Sequence, residues 1–79
     1  MKRPVVLTVA GLDPSGAAGL LADVRTIRAA GCEARAVVTT ITAQGDMPVS
    51  EPVAAELVAR QLHAAMADGA VAAVKIGAL

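Results

Sequence analysis

One segment limits what this chain can fold into more than any other. It is a glycine-punctuated turn, Gly11 to Gly19, set between an apolar run and an amphipathic stretch. Before it, Pro4 to Ala10 is rich in β-branched residues and reads as a strand buried on both faces of a parallel sheet. After it, Leu20, Val24 and Ile27 recur at i, i+4 and i+7, the apolar stripe of a helix from Ala17 or Ala18 to Ala30. Gly31 is placed to end that helix, and Arg25 and Arg28 lie toward the negative end of its dipole. A strand that passes through such a turn into a helix is the first half of a parallel crossover.

The rest of the chain continues the alternation. Ala34 to Thr42 is rich in Val and Thr and predicts a second strand, followed by a polar loop from Ala43 to Val49. Ser50 is a favourable N-cap, and Pro52 suits a first helical turn, where its missing N–H costs nothing. Glu51 and Glu56 suit the positive end of that helix, which is predicted to run to about Asp68. Val53, Leu57, Val58, Leu62, Ala65 and Met66 form its inward set, and Gly69 stops it. Val71 to Ile76 predicts a third strand. The expected order is β-α-β-α-β, an α/β chain with a parallel sheet and no internal repeat, linker or low-complexity tract.

Composition narrows the partners. Seven basic and seven acidic side chains cancel, and there is no Phe, Trp or Tyr, so neither a charged footprint nor a stacking platform for nucleic acid is present. Cys32 is the one cysteine and His63 the one histidine, too few for a disulfide or a structural zinc site. His63 is expected on a helix surface, and Cys32 as a structural thiol. The apolar run after Met1-Lys2-Arg3 is opened by Pro4 and closed by Asp13, which fits a buried strand better than a signal peptide. No stretch reaches the apolar length of a membrane-spanning helix, so no membrane partner and a cytoplasmic location are expected. Three strands and two helices cannot cover both faces and both edges of a sheet. Self-association through open edges, or membership of a larger fold, is therefore expected.

The turn carries the chemistry. Its backbone N–H groups and the helix N-terminus behind it can approach an anionic or polar ligand at the carboxyl end of a strand. Gly11 and Gly16 have the spacing of a phosphate-binding Walker loop, but Ala17 and Ala18 stand where its lysine and hydroxyl belong. Gly16 and Gly19 match half of a dinucleotide fingerprint, with Pro14 in place of its first glycine. Asp23, one turn into the helix, either complements the dipole or binds a polar substrate. Gln44 follows the second strand, and is either a solvated loop amide or a second ligand-reading group on the same sheet edge.

The segment Thr8-Val9-Ala10-Gly11-Leu12-Asp13-Pro14-Ser15-Gly16-Ala17-Ala18-Gly19, continuing to Ala22-Asp23, resembles the amino terminus of the hydroxymethylpyrimidine/phosphomethylpyrimidine kinases. Ala43-Gln44 and Val74-Lys75-Ile76-Gly77 extend the resemblance over almost the whole chain. It implies a portion of a ribokinase-like three-layer sandwich. The implied activity is phosphorylation by ATP of 4-amino-5-hydroxymethyl-2-methylpyrimidine and its monophosphate in thiamine biosynthesis. Gly11, Asp23 and Gln44 match the pyrimidine-contacting positions, and a carboxylate with an amide can read the donors and acceptors of an aminopyrimidine edge.

The chain departs from the family pattern at Ala17, Thr42, Gly45, Pro48 and Ala78. Pyridoxal-type kinases are close relatives, so a pyridoxal-like ring is the alternative substrate. A non-catalytic binding module that associates through its open sheet is the alternative from another class. The resemblance also implies that a complete family chain is more than twice as long. The anion hole, the general base and the residues for ATP and Mg2+ then lie outside these 79 residues. Residues 1–79 are accordingly expected to be the amino-terminal part of one kinase domain, without kinase activity in isolation.

Overall fold

The apolar run of the amino terminus becomes an inner strand. In the computed structural model, which describes residues 2–77, β1 is Val5–Leu12, α1 Gly19–Ala29, β2 Glu33–Ala43, β3 Val49–Pro52, α2 Ala55–Met66 and β4 Val71–Ile76. They form one sheet in the order β3-β2-β1-β4. β1 is parallel to β2, from Val5↔Glu33 to Leu12↔Ile41, and parallel to β4, from Val5↔Val71 to Val9↔Ile76. The chain moves from β1 to β2 on one side, then passes back to β4 on the other. Right-handed crossovers put α1 and α2 on opposite faces of such a sheet. Asp23 of α1 meets Thr8, and Val58 and Leu62 of α2 share a groove with Val9. The result is three layers, with Val5, Leu7, Ala10, Leu20 and Val37 as the buried apolar core around Thr8.

α1 starts and stops close to where its pattern predicts. Its end is a Schellman motif. Gly31 has φ +82°, its N–H donates to the Arg28 carbonyl at 3.0 Å, and the Cys32 N–H donates to the Ile27 carbonyl at 3.2 Å. Arg25 does not serve the dipole at this end. Its side chain runs back toward the helix N-terminus, as helical side chains do, and donates to the Gly16 carbonyl.

The second crossover corrects the prediction. Val49–Pro52 is not a helical start but an antiparallel strand, paired from Thr40↔Pro52 to Ala43↔Val49. The sheet is therefore mixed and four-stranded rather than parallel and three-stranded. Ser50 caps no helix; its hydroxyl lies 3.3 Å from that of Thr42. Glu51 pairs with Ile41, and Pro52 sits in the edge strand, where a missing donor is tolerated. Ala54 is the N-cap of α2, with no side-chain capping bond, and Glu56 lies in the first turn as predicted.

α2 is anchored through polar groups as much as apolar ones. β3 covers β2 only from Thr40 onward, and the Gln61 amide serves the backbone just before it. Gln61 accepts from the Val38 N–H and donates to the Val38 carbonyl, both at 2.9 Å. Arg35 donates to the Ala65 carbonyl at 2.8 Å and forms a fork on Asp68 at 2.8 and 2.7 Å. The predicted inward set is only partly covered: Val53, Val58 and Ala65 are half-buried, whereas Leu57, Leu62 and Met66 are exposed. His63 lies on the exposed side of α2, and Cys32 is a half-buried free thiol. No helix among the described residues is long and apolar enough to cross a membrane.

Candidate functional site

The turn after β1 is built from its own side chains. Asp13 to Gly16 is a β-turn closed by the Gly16 N–H on the Asp13 carbonyl at 3.0 Å, with Pro14 in the position that favours its fixed φ. The Asp13 carboxylate accepts from the Ser15 N–H at 3.0 Å and from the Ser15 hydroxyl at 2.9 Å. The Ser15 hydroxyl oxygen accepts from the Ala17 N–H at 3.2 Å. Gly19 then bridges back to Leu12. Its φ is +69°, and a Cβ there would strike the Gly11 carbonyl oxygen. Only glycine satisfies both conditions, so this position sets how closely the start of α1 approaches the end of β1. Among the described residues no non-glycine residue has a positive φ, so Ala17 sits in an ordinary backbone conformation.

A cavity of about 270 Å³ opens at the carboxyl ends of β1, β2 and β4, against the start of α1. Here the strand order reverses, where open α/β sheets bind ligands. The three residues singled out from the sequence, Gly11, Asp23 and Gln44, all line it, as does Thr42. Gln44 is exposed at the rim, and Asp23 lies deeper. Gly45, which follows Gln44, has φ +123°. Ala78 lies outside the described residues.

Sequence reasoning gave Lys75 no role of its own. Its Nζ donates to Asp23 Oδ1 at 2.7 Å, while the Thr8 hydroxyl donates to Asp23 Oδ2 at 2.7 Å. The two ions are separated by 52 positions in the chain. Asp23 is the buried partner, with 15% of its side chain exposed against 54% for Lys75. The Lys75 ammonium, then the Thr8 hydroxyl, hold the Asp23 carboxyl below its ordinary range against the opposing effect of burial. The available signal was a charged residue inside an otherwise apolar strand, Val71 to Ile76. Asp23 is therefore neither a dipole partner in the first turn nor a free carboxylate. Among the described residues, no three His, Cys, Asp or Glu side chains gather as a metal-binding group.

A doubly wound sheet with a cavity at its strand reversal defines an α/β protein with a candidate ligand site at the carboxyl edge of its strands. The family model for phosphomethylpyrimidine kinase matches residues 13–79, and the chain belongs to that kinase family. It is 44% identical over 75 residues to the hydroxymethylpyrimidine/phosphomethylpyrimidine kinase of Rhizobium meliloti (strain 1021), over 92% of this chain and 28% of that protein. It matches the crystal structure of phosphomethylpyrimidine kinase from Clostridium difficile 630 with a TM-score of 0.89 at 37% identity, over 98% of this chain and 34% of that one. It matches the pyridoxal kinase from Staphylococcus aureus in complex with AMP-PCP and pyridoxal with a TM-score of 0.89 at 29% identity, over 98% of this chain and 30% of that one. The fold is ribokinase-like, and the chain spans about a third or less of each of these relatives.

Proposed function

We propose that residues 1–79 are the amino-terminal portion of a single ribokinase-like kinase domain and form the pyrimidine-binding wall of its active site. The reaction is transfer of a phosphoryl group from ATP to the hydroxymethyl oxygen of 4-amino-5-hydroxymethyl-2-methylpyrimidine, and then to its monophosphate. Asp23 and Gln44 read the ring edge by hydrogen bonds, and Gly11 borders the ring at the end of β1. The observation that carries this reading is the convergence of Gly11, Asp23 and Gln44 on one cavity in a chain of this family. ATP as donor is supported by the relative crystallised with AMP-PCP. ATP and Mg2+ are held by groups other than those named here, so the isolated chain binds the ring without phosphorylating it.

Titrating the 15N-labelled chain with the pyrimidine alcohol should shift the amide resonances of Gly11, Asp23 and Gln44. Gln44→Ala should weaken binding by about tenfold, the loss of one hydrogen bond. Shifts confined to another surface, or none, would overturn the reading. A pyridoxal-like substrate is the second reading, favoured by the relative in complex with pyridoxal. Tighter binding of pyridoxal than of the pyrimidine alcohol in the same titration would select it. The β4 edge, where Val74 and Ile76 are exposed, gives the isolated chain a route to self-association that sedimentation would detect.

A further inference from the structure

Asp23 and Lys75 lie 52 positions apart in the chain and meet at the wall of the cavity, which both line. An ion pair serving only to tie β4 to α1 has no need to lie there. Each carboxylate oxygen of Asp23 accepts one bond, from Thr8 or from Lys75. An ionised carboxylate offers about four lone-pair positions, so acceptor capacity remains on both oxygens. The ammonium offers three donors, of which one is committed to Asp23. The pair therefore presents two adjacent groups to a ligand: a strict acceptor and a cationic donor. The amide of Gln44 stands on the same cavity wall.

On the pyrimidine-site reading above, we propose that Lys75 determines which ring the site takes. It sets a cationic donor beside the Asp23 acceptor. The matching ligand edge carries an N–H donor next to an acceptor nitrogen, as the exocyclic amine and ring nitrogen of a 4-aminopyrimidine do. A ring with an oxygen in place of that amine would set acceptor against acceptor at Asp23. Sites built to pair a substrate N–H discriminate strongly against analogues lacking it, because a partly buried group is then left unpaired.

The test compares two probes on the full chain by NMR titration: 4-amino-5-hydroxymethyl-2-methylpyrimidine and its 4-oxo counterpart. The wild-type chain should bind the amino ring at least about tenfold more tightly. Lys75→Met should bring the two affinities within about threefold of each other, and Lys75→Arg should retain most of the preference. Lys75→Leu, which also removes the donor, is the second neutral variant should Lys75→Met fail to fold, and it too should lose the preference. A role confined to stability would lower both affinities and leave their ratio unchanged. An unchanged ratio in a folded neutral variant overturns the role of Lys75 while the pyrimidine site stands. Equal binding of both rings by the wild type overturns it without recourse to any variant. Binding of neither ring in the cavity overturns the pyrimidine site and this proposal together.

Discussion

The two faces of the sheet are finished to different degrees. On the α1 face, Leu20 is buried and Thr8, fully buried, donates its hydroxyl to Asp23. On the α2 face, Val9, Thr39, Val58, Leu62, Met66, Val74 and Ile76 line an open apolar groove of about 530 Å³. Thr39 is 8% exposed, and its hydroxyl finds no hydrogen-bond partner among the described residues. The contrast shows where the internal work of this chain is concentrated. The face that carries the candidate site is satisfied by the chain's own groups. The other face leaves apolar surface without cover, and a buried hydroxyl without a hydrogen-bond partner among the described residues.

The largest effects should separate the two helices. Leu20→Ala should cost about 2–4 kcal/mol in urea unfolding, the price of a cavity in a packed core. Leu57→Ala, at a position 52% exposed, should cost about 0.5 kcal/mol or less. Equal costs would break the contrast. The next comparison is between two glycines that share φ +69°. Gly19→Ala adds a collision with the Gly11 carbonyl and should lose about 2–3 kcal/mol, whereas Gly69→Ala meets open space and should lose about 1 kcal/mol.

A smaller effect should change sign across the sheet. Thr8→Val removes a bond to a charged group and should destabilise by about 1.5 kcal/mol or more. Thr39→Val removes an unpaired buried hydroxyl and should stabilise by about 1 kcal/mol. Matching signs in thermal or urea unfolding would mean that Thr39 is satisfied after all.

The smallest effect concerns pH. Asp23, held by Lys75 and Thr8, and Asp68, held by the Arg35 fork and the Ala70 N–H, both titrate below the ordinary aspartate value of 3.8. A depressed carboxyl contributes stability that is present above the ordinary value and lost as pH falls through the folded one. Unfolding midpoints should therefore decline as pH falls below about 4. Asp23→Asn and Asp68→Asn should each flatten that decline, and carbon-detected titration of the two carboxyl groups would show which end of the molecule contributes more.

Much of the site was legible because it is local. β1, the turn, α1 and its glycine stop are written in periodicity, turn chemistry and capping residues that act within a few positions of one another. Gln44 could be placed at the ligand end because parallel strands share their carboxyl edge. β3 was not legible. Ser50 and Pro52 carry the local signals of a helix start, and what overrides them is pairing with Thr40 to Ala43 across a loop. Lys75 was silent for the same reason: its partner lies 52 positions away, and nothing in a strand lysine names the carboxylate it will meet.

By itself, then, the sequence determined the alternation of strand and helix, the glycine turn and the family to which they belong. Only the tertiary structure decided that the sheet is mixed, that Asp23 is already paired, and that α1 packs on β1 and β2 while an apolar groove stays open beside α2. Local signals bias a segment's conformation, and strand pairing can override them, as it does at β3. Which edge a strand borders, and which charge meets which, depends on crossovers that bring distant residues together.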